Sequence, residues 1–321
     1  MRIVDLFSGC GGMSLGFQNA GFEIAAAFDN WIKAIDVYKL NFHHPIFVTD
    51  LGDSSVIADI AHFTPDVIIG GPPCQDFSSA GPRSETLGRA NLTVKFAEII
   101  AAVRPAYFVM ENVERAQKSF AYRNALPILK EAHYGLSSIV LDASLCGVPQ
   151  RRLRFFLIGE LDGQDSAILP YLTANLATKP TTVRDYIGDI LDIEHFYRHP
   201  RSYARRGVFS IDEPSPTVRG VNRPVPTGYP GHSGDTTNDL TSVRPLTTLE
   251  RSYIQTFPDW FKFTGTKTDM EQMIGNAVPV KLAEFVGRAL LNYDVDKDLG
   301  DLPDQSHLRG NVPLEQMSLQ A

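Results

Sequence analysis

Over its first 160 residues the chain repeats one alternation: short apolar runs ending in glycine or an acid, separated by amphipathic stretches. The runs are Ile3–Phe7, Ile24–Phe28, Ile46–Thr49, Val67–Ile69 and Tyr107–Met110, followed by Ser138–Asp142 and Arg154–Gly159. Of the intervening stretches the clearest is Val94–Val103, where Phe96, Ile99, Ile100 and Val103 share one helical face. Strands alternating with helices predict βαβ units and a mostly parallel α/β sheet. Such a sheet binds ligands at the carboxyl ends of its strands.

After Gly159 the pattern changes. Residues 161–245 are rich in Pro, Gly, Thr and Arg and show little helical spacing. They predict a smaller lobe of loops and short strands. Helical spacing returns at Thr247–Phe257 and at Val280–Tyr293. A chain of 321 residues accommodates two unequal lobes. The expected division is a large lobe of 1–160 plus 265–293, a small lobe of 161–264, and an acidic, Pro/Gly-punctuated tail of 294–321 that is expected to be disordered.

A net charge of −7 disfavours nucleic acid as a partner when taken as an average. The distribution reverses that reading. Between Tyr197 and Arg223 lie Arg198, Arg201, Arg205, Arg206, Arg219 and Arg223, opposed only by Asp212 and Glu213. The three cysteines, Cys10, Cys74 and Cys146, form no C-x-x-C pair, which argues against a disulfide framework and against a metal site. No apolar run reaches the length of a membrane span. Met1 leads straight into a strand-like run, so neither a signal nor a transit peptide is expected, and a cytoplasmic location is.

Chemistry concentrates at the predicted strand ends. Asp5-Leu6-Phe7-Ser8-Gly9-Cys10-Gly11-Gly12 closes the first strand in a glycine loop that lets backbone approach a ligand closely. Asp29 ends the second strand, where a carboxylate can accept from ribose hydroxyls, and Asp50 ends the third, where it can accept from an adenine amino group. Together they describe a nucleoside pocket, although taken singly each acid is more often a helix cap or loop residue. Val67–Ile69 runs into Gly70-Gly71-Pro72-Pro73-Cys74-Gln75-Asp76-Phe77-Ser78, in which prolines fix the backbone that presents a thiol. Glu111-Asn112-Val113 ends the neighbouring strand, placing an acid beside Cys74. An acid there is of no use for lowering a thiol pKa, but it can hold a ring nitrogen of an electrophile.

These segments resemble the DNA (cytosine-5) methyltransferases: DLFSGCGG, GGPPCQDFS, ENV, the Q-x-R-x-R of Gln150-Arg151-Arg152-Leu153-Arg154, Arg244-Pro245-Leu246-Thr247 with Glu250, and Gly275-Asn276-Ala277-Val278-Pro279. The likeness covers about 1–160 and 210–292 and points to enzymes of the bacterial or phage modification type. It implies a Rossmann-like S-adenosylmethionine-dependent methyltransferase sheet with a smaller, loop-rich target-recognition domain. The catalytic set it implies is Cys74, Glu111, Arg152 and Arg154. Cys74 would attack carbon 6 of a flipped cytosine, Glu111 would hold N3 and the amino group, and the arginines would hold O2 or order the loop around the base.

The implied S-adenosyl-L-methionine pocket is Phe7, Gly9, Cys10 (through its backbone), Gly11, Asp29, Asp50, Leu51 and Asn276, with Pro73, Leu92 and Val278. Gln75–Leu92 resembles a loop that closes over DNA, with Gln75, Ser78 and Arg89 as its DNA contacts. Arg198, Arg201, Arg205, Arg206, Arg219 and Arg223 fit contacts to bases and phosphates of double-stranded DNA. The Pro-Thr stretch Ser215–Gly220 resembles a segment framing that region. The family usually has glutamate where Asp29 stands, and Cys146, where many members carry tyrosine, is read as packing. A functional pairing with a restriction endonuclease is implied, and no obligate protein partner.

The rivals are weaker. A tRNA-directed branch of the same fold carries a Cys-Phe-Thr signature in its variable region, where this chain has no cysteine. A cytosine deaminase needs P-C-x-x-C, whereas Gln75-Asp76-Phe77 follows Cys74. A nicotinamide dehydrogenase would carry G-x-G-x-x-G. A non-catalytic DNA-binding relative would lack the cysteine or the glutamate, and both are present.

Overall fold

The computed structural model describes residues 1–73 and 92–300. The large lobe is built on a seven-stranded sheet. Its strands are β1 (Arg2–Leu6), β2 (Glu23–Asp29), β3 (Ile46–Val48), β4 (Val67–Gly70), β5 (Tyr107–Val113), β6 (Tyr134–Asp142) and, after a two-residue strand β7 (Gln150–Arg151), β8 (Leu153–Leu161). The order across the sheet is β3-β2-β1-β4-β5-β8-β6. β1 through β5 pair in parallel, while β8 runs antiparallel to both β5 and β6. The short connection from β6 to β8 forces that reversal, because parallel neighbours require a long crossover.

Alternation along the strands sorts the core into two layers. Ile3, Val67, Ile69, Tyr107, Val109, Phe156 and Ile158 face one way. There they meet Phe17 of helix α1 (Gly12–Ala20) and Val286 and Leu290 of the closing helix. Val4, Leu6, Ile68, Phe108, Met110, Phe155 and Leu157 face the other way. They pack on Ile60, Phe96, Ile100 and Leu129. A sheet buried on both faces explains why its central strands read as continuous apolar runs. The helices beyond α1 on the large lobe are α2 (Ile32–Asn41), α3 (Val56–His62), α4 (Leu92–Val103) and α5 (Phe120–Glu131).

The chain then builds the small lobe from short pieces. Helix α6 (Leu169–Ala174) still packs on the large lobe, where Ile168 and Leu172 join the core beside α1 and the closing helix, so the small lobe begins later than the expected residue 161; its pieces are α7 (Val183–Ile187), β9 (His195–Tyr197), β10 (Val208–Ser210), β11 (Ser215–Pro216) and β12 (Arg244–Pro245). β11 pairs with β7, so the framing segment adds directly to the strand that leads into β8. Helices α8 (Thr248–Ile254) and α9 (Lys267–Asn276) each open on a capping box, Thr247 with Glu250 and Thr266 with Asp269. α9 is not among the helices expected from apolar spacing.

The closing helix α10 (Val280–Leu299) packs along α1. A side chain at Gly16 would collide with the Ala283 side chain and the Val280 carbonyl, so glycine sets the closeness of that contact. α10 also corrects an expectation: it passes Tyr293 and runs to Leu299, so the first residues of the presumed tail are helical. Their polar groups are anchored to the large lobe, which an acidic composition does not reveal. Asp294 accepts from the Tyr107 hydroxyl at 2.8 Å, Asp296 from the Tyr171 hydroxyl at 2.7 Å, and Lys297 pairs with buried Glu160. No helix among the described residues is long and apolar enough to cross a membrane.

Candidate active site

The glycine loop leaves β1 in left-handed backbone. Phe7 (φ 59°), Gly9 (φ 55°) and Gly11 (φ 96°) all have positive φ, and for Phe7 this is a strained choice that its surroundings must enforce. Asp29, at the end of β2, is one enforcer: its Oδ2 accepts from the Gly9 N–H at 2.7 Å and its Oδ1 from the Trp31 N–H at 2.7 Å. The bland reading of Asp29 as a backbone-capping acid is therefore realised, with the carboxylate at the loop where a ribose acceptor is expected. Burial raises its pKa against those backbone donors.

Cys10 is buried and its thiol is pushed up to about 12 by desolvation, so it offers no reactive sulfur. The same holds for Cys146. Asp50 is exposed at the end of β3 and accepts from the Gly52 N–H at 2.9 Å; Leu51 is buried, and Leu92 lies against Gly52. From the far end of the chain, the Val278 carbonyl packs on Gly12 at the start of α1, and Asn276 is exposed at the end of α9.

Two buried polar atoms beside this loop have no hydrogen-bond partner among the described residues: Asp5 Oδ1 and Ser8 Oγ. Such groups cost free energy unless a ligand completes them, and a polar amino-acid and nucleoside cofactor fits that need. The other Asp5 oxygen accepts from Ser14 Oγ at 2.5 Å, Ser14 Oγ meets Tyr38 OH at 2.7 Å, and Tyr38 OH meets His44 Nε2 at 2.6 Å. Strand-interior Asp5 went unrecognised in the sequence, although an acid inside an apolar run is itself the signal.

Burial pushes the Asp5 carboxyl up to about 7, with Ser14 opposing and Asp29 adding to the rise. The folded chain therefore holds this proton more tightly than the unfolded one. The resulting stabilisation is present below the ordinary value of 3.8 and is lost as pH rises to about 7. Asp5→Asn removes that dependence. The variant's unfolding free energy should gain on wild type by on the order of a few kcal/mol between about pH 4 and pH 7. Denaturant melts across that range check it, and a difference that stays constant with pH would mean the carboxyl is ionised throughout.

The second constellation lies at the ends of β4 and β5. Gly70-Gly71-Pro72-Pro73 carries the chain out of the sheet. Cys74, Gln75, Ser78 and Arg89 lie outside the described residues; Pro73, immediately before Cys74, is exposed. Glu111 on β5 is buried, and its Oε1 lies 2.8 Å from Arg154 Nε on antiparallel β8. Desolvation raises the Glu111 pKa while the Arg154 and Arg152 guanidiniums act to lower it. A side chain at Gly71 would sit 3.2 Å from Glu111 Oε2, so the backbone leading to Cys74 passes directly over the carboxylate. Asn112 donates through Nδ2 to the Pro72 carbonyl at 3.0 Å and ties the two strand ends together. It sits inside the ENV tripeptide but was passed over for its acidic neighbour.

Arg152 bonds to backbone of the framing segment and of the α9 end. It is buried and spends its guanidinium on backbone carbonyls: Val218 at 3.0 Å, and Gly275 and Ala277 at 3.1 Å each. Those atoms belong to the framing segment of the small lobe and to the end of α9. Gln150 joins the same network, accepting from the Val218 N–H at 2.8 Å and donating to Gln255 Oε1 at 2.6 Å. Arg152 thus ties the lobes together, and Arg154 alone of the pair reaches Glu111.

The small-lobe arginines also separate. Arg206 is clamped by Glu213 at 3.0 and 2.5 Å and lies over the Phe209 ring. Arg198 and Arg219 are half-buried and bonded to carbonyls, whereas Arg201, Arg205 and Arg223 are exposed.

Residues 1–292 match the model of the C-5 cytosine-specific DNA methylases. The chain is 59% identical to the Type II methyltransferase M.HindV of Haemophilus influenzae over 296 residues, covering 92% of this chain and 97% of that one. It is 56% identical to the Type II methyltransferase M.HgiDI of Herpetosiphon aurantiacus over 294 residues, covering 91% and 95%. Its fold superposes on the S. pombe Dnmt2 methyltransferase with a TM-score of 0.65 at 18% identity, covering 93% of this chain and 99% of that one.

Proposed function

The chain belongs to the C-5 cytosine-specific DNA methylases and is a DNA (cytosine-5) methyltransferase, and from that premise we propose how its residues carry the reaction. The substrate is a cytosine within a short sequence of double-stranded DNA, rotated out of the stack at a cost of a few kcal/mol. S-adenosylmethionine supplies, when bound, an electrophilic methyl group. Phe7, Gly9, Gly11 and the Cys10 backbone would hold it with Asp29, Asp50, Leu51 and Asn276, flanked by Pro73, Leu92 and Val278.

Cys74 adds as thiolate to carbon 6, and the ring electrons make carbon 5 an enamine carbon. Carbon 5 takes the methyl group as its bond to the sulfonium breaks and a neutral thioether leaves, then gives its proton to water, and the returning electrons expel the thiolate. Glu111 holds N3 and the amino group as charge develops there. Its raised pKa favours the protonated form that can donate to N3. Arg154 orients Glu111 and reaches the O2 side of the base.

The observation that carries this reading is the buried Glu111–Arg154 pair beneath the backbone that leads into Cys74. The large lobe, 1–160 with α6 and 265–293, holds the chemistry and the rest of 161–264 the recognition of DNA. The Type II names of its relatives support a pairing with a restriction endonuclease, and a cytoplasmic location is part of the same proposal.

Glu111→Gln keeps the size of the side chain and should lower kcat about 10²–10⁴-fold; an unchanged kcat would remove Glu111 from the chemistry. The reading itself is tested with S-adenosylmethionine carrying a labelled methyl group, offered with plasmid DNA and separately with tRNA, followed by bisulfite sequencing. The expected result is 5-methylcytosine at one short DNA motif. Label entering tRNA alone would overturn the substrate assignment.

A further inference from the structure

The arginines of the small lobe fall into two sets by partner. Arg184 faces Glu194 and Asp212, Arg206 faces Glu213, Arg244 faces Glu250, and Arg251 faces Glu271. Among the described residues, Arg198, Arg201, Arg205, Arg219 and Arg223 have no carboxylate within 4.0 Å. Yet they lie within reach of one another. Burial and the charges of Arg219, Arg201, Arg251 and Arg205 push Arg198 down to about 10. Burial and the charges of Arg201, Arg205 and Arg223 likewise lower Arg219. Like charges gathered without counter-charge work against the fold, so their complement must come from outside it.

Two of these guanidiniums are already ordered. Arg198, just after β9, donates to the Thr217 carbonyl at 3.1 Å, and Arg219 donates back to the His199 carbonyl at 2.6 Å. Each keeps further N–H groups uncommitted. Between them is a cavity of about 30 Å³ lined by Arg198, His199, Thr217, Arg219, Asn222 and Arg251. It is partly open and polar on the side where the two guanidiniums lie, and it has room for an oxygen of an oxyanion. The Glu271 carboxylate behind it is already taken by Arg251, Thr248 and Asn222. The seat is also fixed to the catalytic centre. Val218, between Thr217 and Arg219, is held by Arg152 and Gln150, and Arg152 neighbours Arg154 on the strand that meets Glu111.

We propose that Arg198 and Arg219 seat a single phosphodiester of the DNA duplex, that Arg201, Arg205 and Arg223 hold its neighbouring phosphates, and that Arg206 takes no part. The proposal rests on the DNA-methyltransferase reading and deepens it. A guanidinium plane matches two phosphate oxygens. Contacts of this kind set the register of the lobe on the duplex and leave base reading to other side chains.

The test measures binding of the full chain to labelled duplexes by anisotropy between 50 and 200 mM NaCl, with one duplex containing the methylated motif and one of random sequence. R201Q/R205Q/R223Q alters exposed side chains only. Its slope of log Kd against log salt should fall by about 2.7, with affinity lost equally on both duplexes. R198Q/R219Q, which empties one phosphate seat, should lower the slope by about 0.9 on both duplexes, its fold checked by thermal melting, and R206Q should keep the wild-type slope. A triple variant with the wild-type slope, in a chain that still methylates DNA, overturns the phosphate seat alone. A loss confined to the motif duplex makes these arginines base readers and overturns it too. A wild-type chain that neither binds nor methylates DNA overturns the underlying reading as well.

Discussion

Cys74→Ala should stop methyl transfer, with the rate on duplex DNA falling by more than about 10⁴-fold, while DNA and cofactor still bind. Carbon 5 of cytosine is a poor nucleophile until a group adds at carbon 6, so no other side chain can supply part of the effect by orientation alone. The other cysteines cannot substitute. Cys10 and Cys146 are buried, and both thiols are pushed up to about 12, leaving almost no thiolate at neutral pH. The described residues at the ends of β4 and β5 are held without the Cys74 thiol. Asn112 holds the Pro72 carbonyl, and Glu111 is held by Arg154, so the variant should keep its fold and its affinity for DNA. Single-turnover methylation and anisotropy measure the two properties separately. Residual transfer within about tenfold of wild type would mean that the reaction does not pass through a Cys74 adduct.

Arg152→Met should destabilise the protein by about 3 kcal/mol or more, and its loss of activity should follow from lost lobe docking. The buried guanidinium stands in for water at the carbonyls of Val218, Gly275 and Ala277. Methionine fills similar space but donates nothing, leaving acceptors that each cost about 1–3 kcal/mol when unpaired. Gln255 still reaches the Ala277 carbonyl at 2.9 Å, so that atom is spared. Burial drives the Arg152 pKa well down, and among the described residues no carboxylate pairs with it, so the carbonyls are what keep it in place. Thermal melting and kinetics together decide the matter. An unchanged melting temperature with a lower kcat would place Arg152 on the base after all.

Much of this was legible in the residues. The central strands are apolar because both sheet faces are covered, and glycine or an acid ends them because the cleft begins there. The placement of Glu111, Asp29 and the glycine loop at neighbouring strand ends follows from parallel topology. Less legible were elements whose stability comes from polar contacts. α9 rests on a Thr266–Asp269 capping box, and the last turns of α10 rest on Tyr107, Tyr171 and Glu160, which lie far away in the sequence. Apolar periodicity carries no trace of either.

The sequence by itself determined the sheet, the acid at the end of β5 and the family, because each rests on local spacing and residue type. Tertiary structure alone decided what each arginine does. Arg152, Arg154, Arg198 and Arg206 are the same residue in similar basic runs. One binds carbonyls between the lobes, one an active-site carboxylate, one a neighbouring loop, and one Glu213. A guanidinium's role is set by the acceptors within its reach, and those acceptors come together only when distant segments fold against one another.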